Sequence, residues 1–428
     1  MHICIKASFF LYKNYYLQRI YSFFAFKFNK IEIKYTYKQQ KAAKQKIKWR
    51  VFKLNIYFNP VKTYEGIGCV KMLDDIMFGN SFENVIVIAW DKSVFEMEDI
   101  KNIFKNSSRF NFKKIIFEKS NPDISDLYEI YNQVKNDDID VIVAIGGGSV
   151  LDIGKSLCCI YKKDIGSIDE LREIIKNKEF EQPYCKWIGI PTTAGTGSEV
   201  TCWATIWDTA KNSKLSIESF ENYAAYAFVD PQFAETMPLQ LAVSSALDAM
   251  AHAIESYWAK HSNVVSKANA LYAIKTINNN IWKIIQNPKD MEAHDAIAQG
   301  SMIAGLAFSN TKTTACHSIS YPLTLGYKIP HGIAVSMLIY PVMYINRKEI
   351  KNPEMLIDAF GVSNIDEIKE NIQKILDSAN IKSRLRDWGV KKEDIVNISK
   401  AASTKGRIDN NPVDMNENMI FEILEKIY

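Results

Sequence analysis

The chain has 428 residues, and its 53 Lys and Arg against 49 Asp and Glu give a formal net charge of +4. Residues 1–50 contain ten Lys, two Arg and one acid, Glu32, for a charge of +11, whereas the remaining 378 residues contain 41 basic and 48 acidic residues, for −7. With 47% hydrophobic and 24% charged residues, the composition is that of a globular protein and excludes collagen-like, disordered and disulfide-scaffold classes. Seven cysteines without C-x-x-C spacing favour free thiols in a reducing compartment.

Residues 1–50 form a basic leader with 13 aromatic residues. Lys13 and Arg19 interrupt its apolar stretch Phe9–Phe28, so a secretory signal is not indicated. The leader could be an arm for nucleic acid or anionic membrane, a targeting segment, or a translated stretch upstream of the true start. We favour the last, because the residues that AT-rich codons specify (Lys, Ile, Phe, Tyr and Asn) supply 30 of its 50 positions. The sequence thus predicts a cytoplasmic protein whose fold begins near Val51, and no later apolar run reaches the 18 or so residues of a membrane span.

Beyond the leader, strand-like and helical segments alternate. Runs rich in β-branched and aromatic residues predict strands at Leu54–Phe58, Asn84–Trp90, Ile115–Phe117 and Asp140–Ile145. Mixed polar and apolar segments between them, such as Ile124–Lys135, predict helices. This alternation predicts an α/β domain with a parallel sheet over residues 51–237, and ligands of such sheets bind at the carboxyl ends of the strands.

The pattern changes at Pro238 to long helical segments with few strand candidates. The predicted helices are Ala242–His261, Lys267–Ile285, Met291–Ser309 and a last set from Ile365 to Tyr428. The sequence therefore predicts an all-helical domain over residues 238–428, with the active site in the cleft between the two domains.

Two glycine-rich loops follow predicted strands. Gly146, Gly147, Gly148 and Ser149 come directly after Ala144-Ile145, so backbone N–H groups at a helix N-terminus are available to a pyrophosphate. The alternative is a tight turn in which Ser149 and Asp152 form a capping box. A second loop, Pro191 to Thr201, follows the strand-like run Trp187–Ile190 and offers hydroxyls and glycines to a charged ligand.

The helical half contains a candidate metal centre. Asp248 and His252 are spaced i, i+4 and so face one side of a helix, and His317 and His331 follow. One carboxylate and three imidazoles suit Fe(II), Zn(II) or a similar divalent ion. The alternative is that these histidines are packed or solvated helix residues without a ligand.

Together these segments resemble the iron-containing (group III) alcohol dehydrogenase family over about residues 52–428. GGGSVLDIGK and PTTAGTGSEVT are similar to its two cofactor loops, and DAMAHAIES with His317 and His331 is similar to its four metal ligands. The resemblance implies an NAD(P)-dependent alcohol dehydrogenase or aldehyde reductase, expected as a homodimer, with the metal on Asp248, His252, His317 and His331. The cofactor residues that it implies are Asn121, Gly146, Gly147, Gly148, Ser149, Asp152, Thr192, Thr193, Thr196 and Lys214.

Asp91 bears on the choice of cofactor. It lies just beyond the predicted strand Asn84–Trp90, where members of the resembled family place an acidic residue. A carboxylate there would accept a hydrogen bond from the ribose 2′-OH of NAD(H) and repel the 2′-phosphate of NADP(H). The alternative is a solvated turn residue, and we expect NAD(H) to be favoured over NADP(H).

The segment after the third ligand departs from the common pattern of the family. Many relatives have His four residues after that ligand, but this chain has Tyr321, so we expect its hydroxyl, water or cofactor hydroxyls to relay the proton.

A cluster of Lys312, Thr313 and Thr314 just before His317 places a cation and hydroxyls near the metal, where they could hold an anionic group; the alternative is a capped helix start with a solvated lysine. This cluster and Asn410-Asn411-Pro412-Val413 are similar to the branch that reduces phosphonoacetaldehyde to 2-hydroxyethylphosphonate.

The same sequence features also permit other functions. The same scaffold could act on a short-chain alcohol or diol, in which case Lys312 would be idle. A non-catalytic metal-binding or nucleic-acid-binding protein is the alternative from another class. The −7 charge of residues 51–428 argues against nucleic acid as a partner and leaves a small molecule as the expected one.

Overall fold

The computed structural model describes residues 55–105, 109–180, 182–211, 213–403 and 406–428. The predicted leader, residues 1–50, lies outside the described residues, and so does Leu54, the first residue of the first predicted strand.

A six-stranded parallel sheet organises the first half of the chain, with the strand order β1-β8-β5-β4-β2-β3. Its strands are β1 (Lys62–Glu65), β2 (Asn84–Ala89), β3 (Asn111–Ile116), β4 (Val141–Gly146), β5 (Lys186–Pro191) and β8 (Tyr226–Val229). Every residue of β4 is buried, since helices cover both faces of a parallel sheet and its central strands are therefore apolar throughout. The predicted α/β domain with a parallel sheet is confirmed.

The register of the two central strands brings the glycine-rich loops together. β4 pairs with β5 so that Gly146 lies opposite Pro191. The loops that follow these strands consequently leave the same edge of the sheet side by side. A separate antiparallel hairpin, β6 (Trp203–Asp208) and β7 (Ser213–Glu218), follows the second loop.

Helices connect the strands, as predicted, and the one helix for which the sequence predicts bounds, Ile124–Lys135, is present as Ile124–Val134. These helices are α1 (Leu73–Gly79), α2 (Glu98–Lys105), α3 (Ile124–Val134), α4 (Gly148–Ile160) and α5 (Ile168–Lys176). Helix α3 begins at a capping box, in which Asp123 accepts from the N–H of Ser125 and Asp126 accepts from that of Asp123. These caps satisfy N–H groups that the first turn of a helix leaves without partners.

One strand prediction is wrong. Among the described residues 55–58 no strand forms, because this segment is hydrogen-bonded to side chains of distant helices. The N–H of Phe58 donates to Oδ1 of Asn310 at 2.8 Å, and the hydroxyl of Tyr57 accepts from Nδ2 of Asn269 at 3.3 Å. The edge strand is instead β1, a few residues later, and it pairs with β8, which the sequence did not predict.

The second half of the described chain is helical, as predicted. Its helices are α6 (Leu239–Trp258), α7 (Val264–Gln286), α8 (Met291–Thr311), α9 (Ala315–Tyr327), α10 (His331–Asn346), α11 (Pro353–Phe360), α12 (Ile365–Ser378), α13 (Ile395–Ala401) and α14 (Glu417–Lys426). The predicted domain boundary at 237/238 falls between β8 and α6.

Helix α6 lies at the centre of this half and is buried from Ala246 to Trp258. It packs against α7, α8 and α10. The approach of α10 is unusually close: a Cβ at Gly332 would lie 2.1 Å from the carbonyl oxygen of Ser244, so only glycine allows the N-terminus of α10 to reach α6. This contact brings His331, the first residue of α10, beside the candidate ligands on α6.

Among the described residues, none of the helices is long and apolar enough to cross a membrane.

Candidate active site

The first glycine loop leads into α4 without a side-chain cap. Gly147 occupies the N-cap position, and no side chain accepts from the first turn. The capping-box alternative is therefore wrong, because Asp152 is engaged elsewhere: it accepts from Oγ of Ser198 and from the N–H of Thr205, each at 2.8 Å. The uncapped N–H groups of α4 are left available to an anion, the use to which such a terminus is suited.

Close packing of the two loops explains their glycines. A Cβ at Gly148 would lie 2.8 Å from Cγ2 of Thr196, and a Cβ at Gly197 would lie 2.5 Å from Cα of Gly305 on α8. Gly197 also has a left-handed φ of +55°, which favours glycine. The second loop is thus pressed between the first loop and the helical domain.

A buried lysine on the helix after the first loop forms hydrogen bonds with the second loop. Lys155 on α4 is fully buried, and its Nζ donates to Oγ of Ser198 at 2.6 Å, Oγ1 of Thr201 at 3.0 Å and the carbonyl of Trp203 at 2.9 Å. Burial lowers the pKa of Lys155, and the Asp152 carboxylate, 3.5 Å from Nζ, opposes this. This residue lies within GGGSVLDIGK, but sequence reasoning did not single it out.

The cofactor residues predicted from the sequence differ in their positions. Asn121 lines the same cavity as the first loop and donates its N–H to Oγ of Ser149 at 3.1 Å. Thr193 and Thr196 also line that cavity, but Thr192 does not. Asp91 accepts from the N–H of Ser93 at 2.7 Å, and its hydrogen bonds to Ser93 lower the pKa of Asp91.

The four candidate metal ligands come together. Oδ1 of Asp248 lies 3.5 Å from Nε2 of His317 and 3.9 Å from Nε2 of His331. The rings of His252 and His317 stack with centroids 4.3 Å apart. One ligand atom from each of Asp248, His252 and His317 lies within 4.8 Å of the others, a spacing in which a single ion can touch all three.

Two unpartnered atoms show that these residues fit a cation. Oδ1 of Asp248 and Nε2 of His317 are both buried, and neither has a hydrogen-bond partner among the described residues. Buried polar atoms without partners are rare in proteins, and a divalent ion between them would satisfy both. Nδ1 of His252 lies 3.3 Å from the carbonyl of Gly195, so donation there leaves Nε2 free to bind a metal.

Glu255 orients the third ligand and was missed by sequence reasoning. Its carboxylate is fully buried, contacts Nδ1 of His317, and accepts from Oγ1 of Thr314 at 2.6 Å and from the N–H of Cys316 at 2.7 Å. Helical spacing could have revealed it, since Asp248, His252 and Glu255 follow the i, i+4, i+7 pattern of one helix face. Thr314 thus supports Glu255 and lies outside the cavity lining.

The protonation tendencies of the histidines reflect this arrangement. Burial lowers the pKa of His252 to about 3 and that of His331 to about 4, which keeps both imidazoles neutral and able to bind a metal. Burial also acts on His317, but the carboxylates of Glu255 and Asp248 outweigh it and raise its pKa to about 10. The same negative charge favours a divalent cation at this position.

A cavity of about 740 Å³ contains the glycine loops and the candidate metal ligands. This volume is typical of a small-molecule site. The cavity is lined from the α/β half by Asn121, Gly147, Ser149 and Thr196, and from the helical half by Asp248, His252, His317 and His331.

Comparison with known proteins agrees with this geometry. Residues 60–231 match the model of the iron-containing alcohol dehydrogenase family, and residues 242–428 match the model of its C-terminal domain. The NAD-dependent methanol dehydrogenase of Bacillus methanolicus is 31% identical over 283 residues, which are 66% of this chain and 73% of that protein. The 4-hydroxybutyrate dehydrogenase of Clostridium kluyveri is 32% identical over 59% of this chain and 69% of that protein.

The chain belongs to the iron-containing alcohol dehydrogenase family. It is accordingly an NAD(P)-dependent alcohol dehydrogenase or aldehyde reductase. Among solved structures, the sulfoacetaldehyde reductase of Bifidobacterium kashiwanohense in complex with NAD⁺ has a TM-score of 0.80 and 25% identity, covering 87% of this chain and 98% of that one.

Tyr321 lies inside the cavity of this dehydrogenase, as the proton-relay prediction requires. Its ring stacks on that of His331, with centroids 5.9 Å apart and planes 8° from parallel. Nζ of Lys214 lies 3.8 Å from the centre of the tyrosine ring. Burial disfavours the phenolate, but the charges of Lys214 and Arg407 outweigh it and lower the pKa of Tyr321 to about 7.

Lys312 is not where the anion-site prediction requires it. The residue follows Thr311, the last residue of α8, with a positive φ of +62°, and its Nζ pairs with Oε1 of Glu218 at 2.7 Å. It is not among the residues that line the cavity, whereas its neighbour Thr313 is. The backbone turn at the helix end directs the lysine to the β6–β7 hairpin, and Glu218 neutralises its charge.

Arg407 lines the cavity and was also missed by sequence reasoning. Its guanidinium carbon lies 5.9 Å from the ring centre of Trp203. No local pattern distinguishes this arginine in the sequence, since only tertiary packing brings the C-terminal segment to the metal ligands.

Proposed function

We propose that the enzyme reduces phosphonoacetaldehyde to 2-hydroxyethylphosphonate, with NAD(H) as the favoured cofactor. One observation carries the choice of an anionic aldehyde: four cations line the cavity that contains the metal ligands, and among the described residues only Lys119 is paired, with Asp126, which leaves Lys214, Lys328 and Arg407. Within the described part of the chain, no carboxylate oxygen lies within 4.0 Å of any of the three. Their unpaired positive charge favours a substrate with negative charge at the end remote from the carbonyl.

The chain's own residues account for the remaining steps of the reaction. Asp248, His252, His317 and His331 would hold a divalent metal, and the two glycine loops would hold the cofactor. When bound, the metal supplies Lewis-acid polarisation of a carbonyl oxygen, and the reduced nicotinamide supplies the hydride. Phe308 stacks on His252 with centroids 4.2 Å apart and fixes the plane of that ring.

Tyr321 is the proposed proton donor to the developing alkoxide. It is the hydroxyl-bearing side chain that stacks directly on a candidate metal ligand, and it faces the cavity. Lys214 over its ring favours loss of the hydroxyl proton, and a positioned donor of this kind contributes roughly 10²-fold or more to rate.

The name of the structural relative supports an anionic substrate. Sulfoacetaldehyde, which that name gives for the Bifidobacterium enzyme, is a two-carbon aldehyde with a tetrahedral oxyanion group, and phosphonoacetaldehyde is its phosphonate counterpart. Asp91 supports NAD(H), because its carboxylate follows β2 where the ribose 2′-OH of such a cofactor is expected.

A substrate panel tests the proposal. Rates with phosphonoacetaldehyde, sulfoacetaldehyde, acetaldehyde and butanal are compared at one concentration of Zn(II) or Fe(II) and of NADH. Charge-assisted hydrogen bonds contribute about 1.5–3 kcal/mol, so we expect phosphonoacetaldehyde to exceed the neutral aldehydes by roughly 10- to 100-fold in kcat/KM. Equal or higher kcat/KM for the neutral aldehydes would support the short-chain alcohol alternative instead.

A further inference from the structure

We infer that Arg407, together with the hydroxyl of Thr313, forms the subsite that holds the anionic group of the substrate. The inference rests on the proposed function, because it assumes an anionic aldehyde, and it assigns that specificity to two particular side chains. Both line the cavity that contains the metal ligands.

The guanidinium of Arg407 has unused hydrogen-bonding capacity. Among the described residues, the guanidinium makes one weak hydrogen bond, from Nη1 to the carbonyl of Gly406 at 3.3 Å. A guanidinium has five N–H donors in a planar fork, and this fork matches two oxygens of a phosphonate or sulfonate. The face of Trp203 beside it provides an apolar surface on which the planar group can lie.

Thr313 supplies a second, independent observation that points to a ligand. The residue is only 4% exposed, and its Oγ1 has no hydrogen-bond partner within the described part of the protein. A buried hydroxyl without a partner costs free energy unless something bound satisfies it. An oxyanion in the cavity would accept from this hydroxyl.

Asn410 brings these two distant parts of the chain together. Its buried amide Nδ2 donates to the carbonyl of Thr311 at 2.8 Å and to that of Thr313 at 3.1 Å. Arg407 lies three residues before Asn410, so the same contact that fixes the turn after α8 also fixes the segment that carries the arginine. The subsite is therefore built by tertiary contacts between the turn that follows α8 and the C-terminal segment.

The other cations in or near the cavity are less suited to this role, and one of them, Lys119, is already paired with Asp126. Lys214 lies against the ring of Tyr321, on the side proposed for proton transfer. Lys328 is exposed, so solvent screens its charge. Lys312 is neutralised by Glu218 and lies outside the lining.

The chemical class that fits is a short aldehyde with a tetrahedral oxyanion, phosphonate or sulfonate. The neutral compound 3,3-dimethylbutanal has nearly the same shape as phosphonoacetaldehyde, because a tert-butyl group replaces the phosphonate. A comparison of these two substrates isolates the contribution of charge from that of size.

The test measures KM for both substrates with the metal-loaded enzyme and its Arg407→Gln, Arg407→Lys and Thr313→Val variants. We expect Arg407→Gln to raise KM for phosphonoacetaldehyde by roughly 10- to 100-fold and to change KM for 3,3-dimethylbutanal by less than about 2-fold. Arg407→Lys keeps the charge but loses the fork, so its effect should be smaller. Thr313→Val should raise KM for phosphonoacetaldehyde by roughly 5-fold, through loss of one hydrogen bond.

Arg386→Gln is the matched control, since Arg386 also faces an aromatic ring, that of Tyr428, but lies outside the cavity. It should change neither KM. Equal increases in KM for both substrates in the Arg407 variants, or a selective increase in Lys312→Gln with none in Arg407→Gln, would overturn the inference. If Arg407→Gln does not fold, the Arg407→Lys and Thr313→Val variants decide, because each should raise KM for phosphonoacetaldehyde more than KM for 3,3-dimethylbutanal. A wild-type enzyme that does not prefer phosphonoacetaldehyde to 3,3-dimethylbutanal would instead overturn the proposed function.

Discussion

Replacing Glu255 with glutamine perturbs the metal centre without touching a proposed ligand. The fully buried carboxylate contacts Nδ1 of His317 and accepts from Thr314 and from the N–H of Cys316. Glutamine has the same shape but only one acceptor oxygen. If that oxygen serves Thr314 and Cys316, the amide NH₂ group faces His317, where a donor meets a donor.

The imidazole can relieve this conflict only by moving its proton to Nε2. That change of tautomer removes the lone pair that His317 would offer to the metal. Loss of a carboxylate that orients a ligating histidine costs about 10- to 100-fold in metal affinity, which corresponds to roughly 1.4–2.7 kcal/mol. At a fixed excess of metal, the metal-dependent increase in the free energy of unfolding should fall by the same amount.

Competition between the metal-free protein and a chelator of known affinity gives the Kd for Zn(II) without reference to activity. Glu199→Gln is the matched control, because Glu199 is also a buried glutamate, 2% exposed, but makes no contact with the candidate ligands. The control should bind Zn(II) like the wild type. A folded Glu255→Gln variant with unchanged Kd would refute the reasoning.

Two further predictions concern the proton donor and the pH dependence of stability. Tyr321→Phe keeps the ring that stacks on His331 and removes the hydroxyl, so kcat should fall by roughly 10²-fold while KM for NADH stays within about 2-fold. Unchanged kcat in steady-state kinetics would contradict the role of Tyr321 as proton donor. Burial, partly offset by its own backbone N–H and by Lys155, raises the pKa of Glu199 from 4.5 to about 7. Its protonated form is favoured in the folded state, so the stability that this group contributes is present below pH 4.5 and is lost as pH rises through 7, at most about 3 kcal/mol. Glu199→Gln should therefore be stabilised relative to the wild type more at pH 8 than at pH 5. Calorimetric Tm values at the two pH values measure this difference. An identical difference in Tm at both would contradict the raised pKa of Glu199.

The sheet was predictable from the sequence where strands are buried on both faces. Val141–Gly146 is an unbroken apolar run ending in glycine, so its type and its loop follow from the sequence alone. The edge strand Lys62–Glu65 has a half-exposed pattern without a continuous apolar run, whereas the sequence pattern favours the more apolar Leu54–Phe58, whose described residues form no strand. Edge strands depend on pairing with a distant partner, here Tyr226–Val229, which local patterns do not reveal.

The candidate site also contains parts that local sequence patterns predict and parts that only tertiary packing brings together. Each glycine loop is a contiguous motif, and Asp248 and His252 lie four residues apart on one helix. Their local arrangement therefore follows from the sequence. Lys312 shows the limit of proximity in sequence: it lies five residues before His317, yet a positive φ at the end of α8 directs its side chain to Glu218. Arg407, some ninety residues away, is instead brought into the cavity by the fold.

These two outcomes have a common physical basis. Binding of a pyrophosphate or a metal needs several donors in one fixed geometry, and a single loop or one helix face can provide most of them. Recognition of the remote end of a substrate needs only one or two groups at the right distance from the metal, and any segment that packs over the cavity can supply them. In this chain that segment is fixed by Asn410, whose amide donates to the carbonyls of Thr311 and Thr313. The proposed role of Arg407 therefore implies that substrate preference can change through contacts of the C-terminal segment while the cofactor loops and metal ligands stay the same.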